Sequence, residues 1–297
     1  MNSKFFLVVI ASILASGCAS PNYQNFPITA DNKAKHNIQI IDKEFEENHF
    51  IKKISENEVL YSQNNGGSAA AGAFGLIGAL TNIALINSQT NKDVEAIKGK
   101  FDVNPSKMLK KAIKDNPAGD VHFTDEFKQS DIQVHPYVLI KKVEKNDATQ
   151  LHFASAVKVQ VPLDSKKNWY GRYFYITDTT ITLSELSAGI SDKLSKKIKS
   201  ELQQGFAEVI KMYDEDRKSE LSNAKPGTVR SEYLTPGFPI DLFAEEVSRI
   251  DGRVIFTTNN GSFSMPESEI LITYTKSKKD KKSQNKVIAK EKEPTKL

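Results

Sequence analysis

Between residues 132 and 182 apolar and polar positions alternate, and the alternation predicts strands. Ile132, Val134, Val138 and Ile140 share one side of a first strand, and Leu151, Phe153, Val157, Val159 and Val161 share one side of a second. "EKNDATQ" is the hairpin connection between them, and "NWYGRYFYITDTTITL" supplies a third, long, aromatic strand. Three sequential alternating strands predict an antiparallel meander with one face that needs cover. The period then changes. From about Ser184 to Arg217, Leu186, Ile190, Leu194, Ile198, Leu202, Phe206, Val209, Ile210 and Tyr213 recur at three- and four-residue steps, the pattern of one long amphipathic helix. Lys193, Lys196, Lys197, Lys199 and Glu201 fall on its other side, as a solvated face would. Helix on antiparallel sheet defines an α+β domain, residues 36–222.

The flanking stretches are shorter. "NIQIID" and "ENEVLYSQ" read as strands, and "VEAIKGKFDVNPSKMLKKAIKDNP" as helical material broken near Pro105, with Met108, Leu109, Ala112 and Ile113 as its apolar stripe. "NAKPGTVRSEYLTPGFP" is dense in proline and glycine and marks a boundary. Beyond it "GRVIFTT", "NNG" and "SFSMPESEILITYT" read as strand, tight turn at Asn260-Gly261 and strand, a small β module over residues 223–275 that packs on the main domain. Residues 66–88, within "GGSAAAGAFGLIGALTNIALINSQ", are small and apolar, with Gly67, Ala71, Gly75 and Ala79 at intervals of four. On a helix that spacing stacks small residues into a candidate helix-contact stripe. A helix buried in the domain, a membrane-inserting or self-associating helix and a loop all remain open readings. The segment weakly resembles the glycine-zipper segments of some outer-membrane lipoproteins.

Cysteine use gives the chain an address. Met1 to Lys4 carries one positive charge, Phe5 to Ala15 is apolar, and the run ends in Ala15-Ser16-Gly17 before Cys18, the single cysteine of the 297 residues. The run is too short to span a bilayer as a stable helix and has the three-part build of a secretory signal. "ASGC" resembles the lipobox of bacterial lipoproteins, with Ala15 where that family prefers leucine. The resemblance implies removal of residues 1–17, a covalent lipid on Cys18 and, with Ala19 instead of aspartate next to it, sorting to the outer membrane. Residues 18–35, polar with Pro21 and Pro27, then serve as a tether. The lipidated chain has no thiol left for a disulfide, a nucleophile or a metal.

The formal charge of +4 is unevenly placed. Residues 276–297 hold nine lysines against three acids, and without this tail and Lys4 the remainder is slightly acidic, at −3. So polar a tail is expected to be disordered. In an exported protein its basicity, with Lys278, Lys279, Lys281 and Lys282 as candidate anion contacts, points to anionic lipid or lipopolysaccharide and not to nucleic acid.

No zinc-protease, P-loop, nucleophile-elbow or dinucleotide-turn pattern occurs. Ser155 and Lys158 match the Ser-x-x-Lys spacing of penicillin-recognising enzymes, but in a strand residues three apart point to opposite faces. His135 and His152 sit on neighbouring strands, where a pair with Asp131 or Glu126 would be needed to hold a metal. Trp169, Tyr170, Tyr173, Phe174 and Tyr175 divide between both strand faces. The expectation is a non-enzymatic envelope lipoprotein, anchored on the periplasmic face of the outer membrane, with no catalytic or metal site and no cofactor beyond the lipid on Cys18. Its partners are the membrane and another envelope protein. The alternatives are a periplasmic carrier of lipid or another amphiphile and an envelope hydrolase with an unfamiliar site.

Overall fold

The computed structural model describes residues 26, 37–41, 51–63, 86–115, 121–124, 132–145, 148–164, 167–218, 225–235 and 241–274. Its frame is the alternating region. Strands β5 (Ile132–Lys145), β6 (Ala148–Asp164) and β7 (Lys167–Ile181) pair antiparallel in sequence order. The alternating residues all face one way: Val134, Val138 and Ile140 of β5, Leu151, Phe153, Val157 and Val159 of β6 and Tyr173 of β7 are buried in a single core cluster.

The meander is the middle of something larger. Among the described residues twelve strands form one mixed sheet, in which β1 (Asn37–Ile40) and β3 (Val59–Gln63) run parallel to β5 along successive halves of it, and β11 (Gly261–Pro266) runs parallel to β7. A purely antiparallel meander is therefore corrected to a mixed sheet. β2 (Ile51–Lys53) pairs with β3 and β4 (His122–Phe123) with β1, two strands too short to show a period.

Helices cover the core face. Residues 86–97 form α1, and α2 (Pro105–Asp115) starts with proline at its first position, where the missing N–H costs nothing, after Asn104, whose side-chain oxygen accepts from the Lys107 amide at 2.8 Å. The single long helix expected from Ser184 is two: α3 (Leu183–Ala188) and α4 (Asp192–Lys218), separated at Gly189, φ +94°. Thr182 and Glu185 form a capping box that starts α3. Ile198, Leu202, Phe206, Val209, Ile210 and Tyr213 of α4 are buried, as their spacing predicts.

The C-terminal residues supply five strands, β8 (Lys225–Arg230), β9 (Leu242–Ile250), β10 (Arg253–Thr258), β11 and β12 (Leu271–Tyr274), and they prolong the sheet in the order β7, β11, β10, β9, β8, β12. "SFSMPESEILITYT" is thus two strands, interrupted after Pro266 by a turn at Glu267–Glu269. The expected turn at Asn260-Gly261 falls one residue earlier: Thr258 faces Gly261, so Asn259 and Asn260 make the loop and Gly261 begins β11. The β9–β10 hairpin turns on Asp251 and Gly252, both with positive φ (50° and 72°), the combination a two-residue hairpin turn favours. These strands build a second core on the other face of the meander. Phe263 stacks on Phe174 at 4.8 Å and on Phe256 at 5.5 Å, and Ala154 on β6 is small enough to lie beneath this layer.

Candidate functional site

The most elaborate local structure lies where β7 departs from its ladder. His152 faces Thr180 and Ala154 faces Ile176, so Thr177, Asp178 and Thr179 bulge out opposite Phe153 alone. Bulges of this kind re-aim side chains and are common beside functional sites. Here the bulge is pinned from both sides. Glu201 of α4 accepts hydrogen bonds from the Thr179 amide, at 3.0 Å, and the Thr179 hydroxyl, and the Thr177 hydroxyl bonds to the Phe153 carbonyl at 3.1 Å. Glu201 was expected on a solvated face; instead it reaches the sheet, while Lys193, Lys196, Lys197 and Lys199 are exposed as expected.

On the other side, Arg253 at the start of β10 clamps three strands. It donates to Asp178 at 2.7 Å, to the Ile176 carbonyl, and to the Ser264 hydroxyl and carbonyl at 3.1 and 3.0 Å. Its guanidinium also lies 3.8 Å from the centre of the Tyr175 ring. Between bulge and clamp opens a cleft of about 310 Å³, lined by His152, Thr180, Asp251, Ser268 and Glu269 besides Asp178 and Arg253. The rim is acidic and hydroxyl-rich. Arg253 spends four of its five N–H donors on the protein, and with Asp178, Asp251 and Glu269 in its lining the cleft is chemically suited to hydrogen-bond donors. The signal for this site was in the sequence: "TDTT" puts a charged residue among threonines inside a strand, a break in the pattern that alternation alone passes over.

The residues singled out for chemistry come apart. Ser155 is buried, its hydroxyl donating to the Leu202 carbonyl at 2.7 Å, whereas Lys158 stands on the opposite face over the Tyr170 ring. His135 faces Lys158 and His152 faces Lys141, so the histidines share a face but lie six residue pairs apart, about 20 Å at strand spacing. Asp131 and Glu126 lie outside the described residues, and among these no three His, Asp or Glu side chains gather to hold a metal. Of the aromatic run, Trp169, Tyr173 and Tyr175 enter the helix-covered core, Phe174 the second core, and Tyr170 is exposed. The acidic cluster closing α4 is structural: Asp214 pairs with Arg217, which is 1% exposed, and Asp216 accepts from the Tyr173 hydroxyl at 2.6 Å.

Two further polar groups hold the fold. Lys142 pairs with Asp93 of α1 at 2.9 Å, and Asp93 also accepts from Tyr61 at 2.7 Å and from Gln89 at 2.6 Å. Burial, and then the bond to Asp93, push the Tyr61 phenol far above its ordinary value. On the second face the Lys141 ammonium donates to the Tyr233 carbonyl, and burial pushes its pKa down to about 8.

Cys18, the small-residue stripe Gly67, Ala71, Gly75 and Ala79, and the tail lysines Lys278, Lys279, Lys281 and Lys282 all lie outside the described residues. Among these no helix is long and apolar enough to cross a membrane. Compared with known proteins, the chain matches no family model and no curated sequence.

Proposed function

We propose that the protein is a lipid-anchored component of the bacterial envelope, held at the periplasmic face of the outer membrane through Cys18, and that it acts without catalysis by engaging another envelope protein. The observation that carries this reading is the position of the single cysteine, directly after an apolar run that ends in small residues. The polar chemistry of the folded part is in keeping with it. Ser155, Arg253, Glu201 and the Asp93–Lys142 pair each bond to other parts of the chain and stiffen the sheet. The mechanism is tethering: confinement to a surface raises effective concentration, so modest contacts suffice. The small-residue segment 66–88 and the basic tail are the contact regions proposed, the first for protein and the second for anionic lipid or lipopolysaccharide.

The test is crosslinking in intact cells, followed by affinity purification and mass spectrometry, of the full chain and of a chain lacking residues 66–88. The reading expects a reproducible envelope partner that is lost with the deletion while the deleted chain keeps its circular dichroism spectrum. Extractable lipid in place of a partner would instead favour the amphiphile carrier.

A further inference from the structure

Phe26 is 3% exposed, although the sequence around it reads as a polar tether. Its ring meets Trp169 edge-on, with 5.0 Å between centroids, and Tyr213 at 6.1 Å, an arrangement aromatic pairs prefer. Trp169 is seated in turn over Gly171, where a Cβ would fall 2.3 Å from its ring. The chain is thus fastened eight residues after Cys18, at the end of the sheet where the β6–β7 hairpin turns and α4 finishes. Eight residues span at most about 29 Å, roughly half the ~56 Å length of the seventeen-residue β6.

At the same end the opposite face of the sheet is basic and aromatic. The second core reaches Phe174 and goes no further along β7. Beyond it, toward the hairpin, His135, Lys158 and Arg172 stand in one row across β5, β6 and β7, and Gln133, Gln160 and Tyr170 in the next. Arg172 is exposed, Tyr170 is 48% exposed, and the Lys158 ammonium lies 5.3 Å from the centre of the Tyr170 ring. Leu163, in the hairpin, is 45% exposed. Glu58, which approaches His135 to 3.7 Å, is already engaged by Lys53 at 2.6 Å.

We propose that this hairpin end rests on the membrane, with Leu163 and Tyr170 at the level of the headgroups and Lys158 and Arg172 on the phosphates of anionic phospholipid. The choice of a membrane as occupant rests on the anchor proposed for Cys18; the short reach from there to Phe26 brings this end of the sheet to the bilayer. Tyrosine, with an apolar ring and a polar tip, suits the headgroup layer, and cations beside it are attracted to anionic lipid. Like charges directly opposite on paired strands repel, and a phosphate lying over Lys158 and Arg172 relieves that repulsion.

In a chain whose Cys18 is acylated, an introduced cysteine is the sole free thiol. The experiment labels the lipidated full chain with an environment-sensitive fluorophore at Asn168→Cys, in the hairpin, or at Ser268→Cys, in the cleft beside Asp178, ten residues further along β7. Each is reconstituted in vesicles of anionic phospholipid that also carry a nitroxide-headgroup lipid as quencher. Quenching at Asn168→Cys and not at Ser268→Cys is expected. Lys158→Glu with Arg172→Glu should lower it threefold or more while the chain stays vesicle-bound, and neutral phospholipid should do the same. Phe26→Ser should lower it too, with an unchanged circular dichroism spectrum, by freeing the leash. Quenching at neither position, equal quenching at both, or indifference to the charge reversal would overturn the proposal. Loss of the wild-type chain from neutral vesicles would instead refute the anchor. The same labelled chains with a hexahistidine tag in place of residues 1–18, held on a nickel-chelating lipid, then decide the membrane contact by the same readout.

Discussion

Asp93 and Lys142 show what single side chains decide in this molecule. Both are under a tenth exposed, and each ion leaves water only because the other is there. Asp93→Ala strands a buried ammonium and releases the Tyr61 and Gln89 bonds, so a loss of about 3–5 kcal/mol in urea unfolding is expected. The paired change Asp93→Leu with Lys142→Met removes both charges and should cost markedly less. Lys141 gives a second test, through pH. Its pKa of about 8 in the fold lies below its ordinary value of 10.5, because burial disfavours the charged form. Between these values the unfolded chain binds more protons than the folded one, so the contribution of Lys141 to stability rises with pH through that window. The wild type is expected to gain thermal stability from pH 7.5 to 9.5 relative to Lys141→Met; equal pH profiles for the two chains would contradict the assignment.

At the scale of elements, α4 depends on one close approach. A Cβ on Gly205 would fall 2.7 Å from both the Ser155 hydroxyl and the Tyr175 ring, so helix and sheet touch nearly backbone to side chain. Gly205→Val should destabilise the protein by about 1–3 kcal/mol through overpacking, measured by thermal unfolding, whereas Gly189→Ala, with open space around it, should act only through its positive φ. The elements also differ in how plainly the sequence announces them. β5, β6 and β7 are legible because one face is apolar core along their whole length, so alternation is enforced. The break between α3 and α4 is masked, since Leu186, Ile190 and Leu194 keep helical spacing across it; Gly189 and Ser191, whose hydroxyl accepts from the Leu194 amide at 3.3 Å at the start of α4, betray it. β8 hides behind Pro226 and Gly227. Among the described residues β12 pairs with β8 as far as Gly227 and Pro226 is paired with β9 alone, an arrangement in which proline is tolerated. β9 hides because Glu245, Glu246 and Arg249 dilute its apolar positions. The clamp of Arg253 on Asp178 is a tertiary contact over 75 residues of sequence, which no local period encodes.

The whole molecule is a mixed sheet with helices over one face and its own C-terminal strands over part of the other, joined to residues whose sequence speaks of export and surface contact. The two levels bear on different questions. Packing explains why β11 lies beside β7 and why so many polar side chains are consumed internally. The proposed location rests on composition: a single cysteine after an apolar run, a slightly acidic middle and a basic end. The anchored reading makes the lipid on Cys18 the central claim, since the proposed tethering and the proposed partner both draw on it. The most direct measurement is incorporation of labelled fatty acid in cells expressing the wild type or Cys18→Ala, with fractionation of the membranes. The account predicts label on the wild-type chain in the outer-membrane fraction and none on Cys18→Ala, which should leave that fraction. Equal labelling of the two chains, with unchanged fractionation, would contradict it.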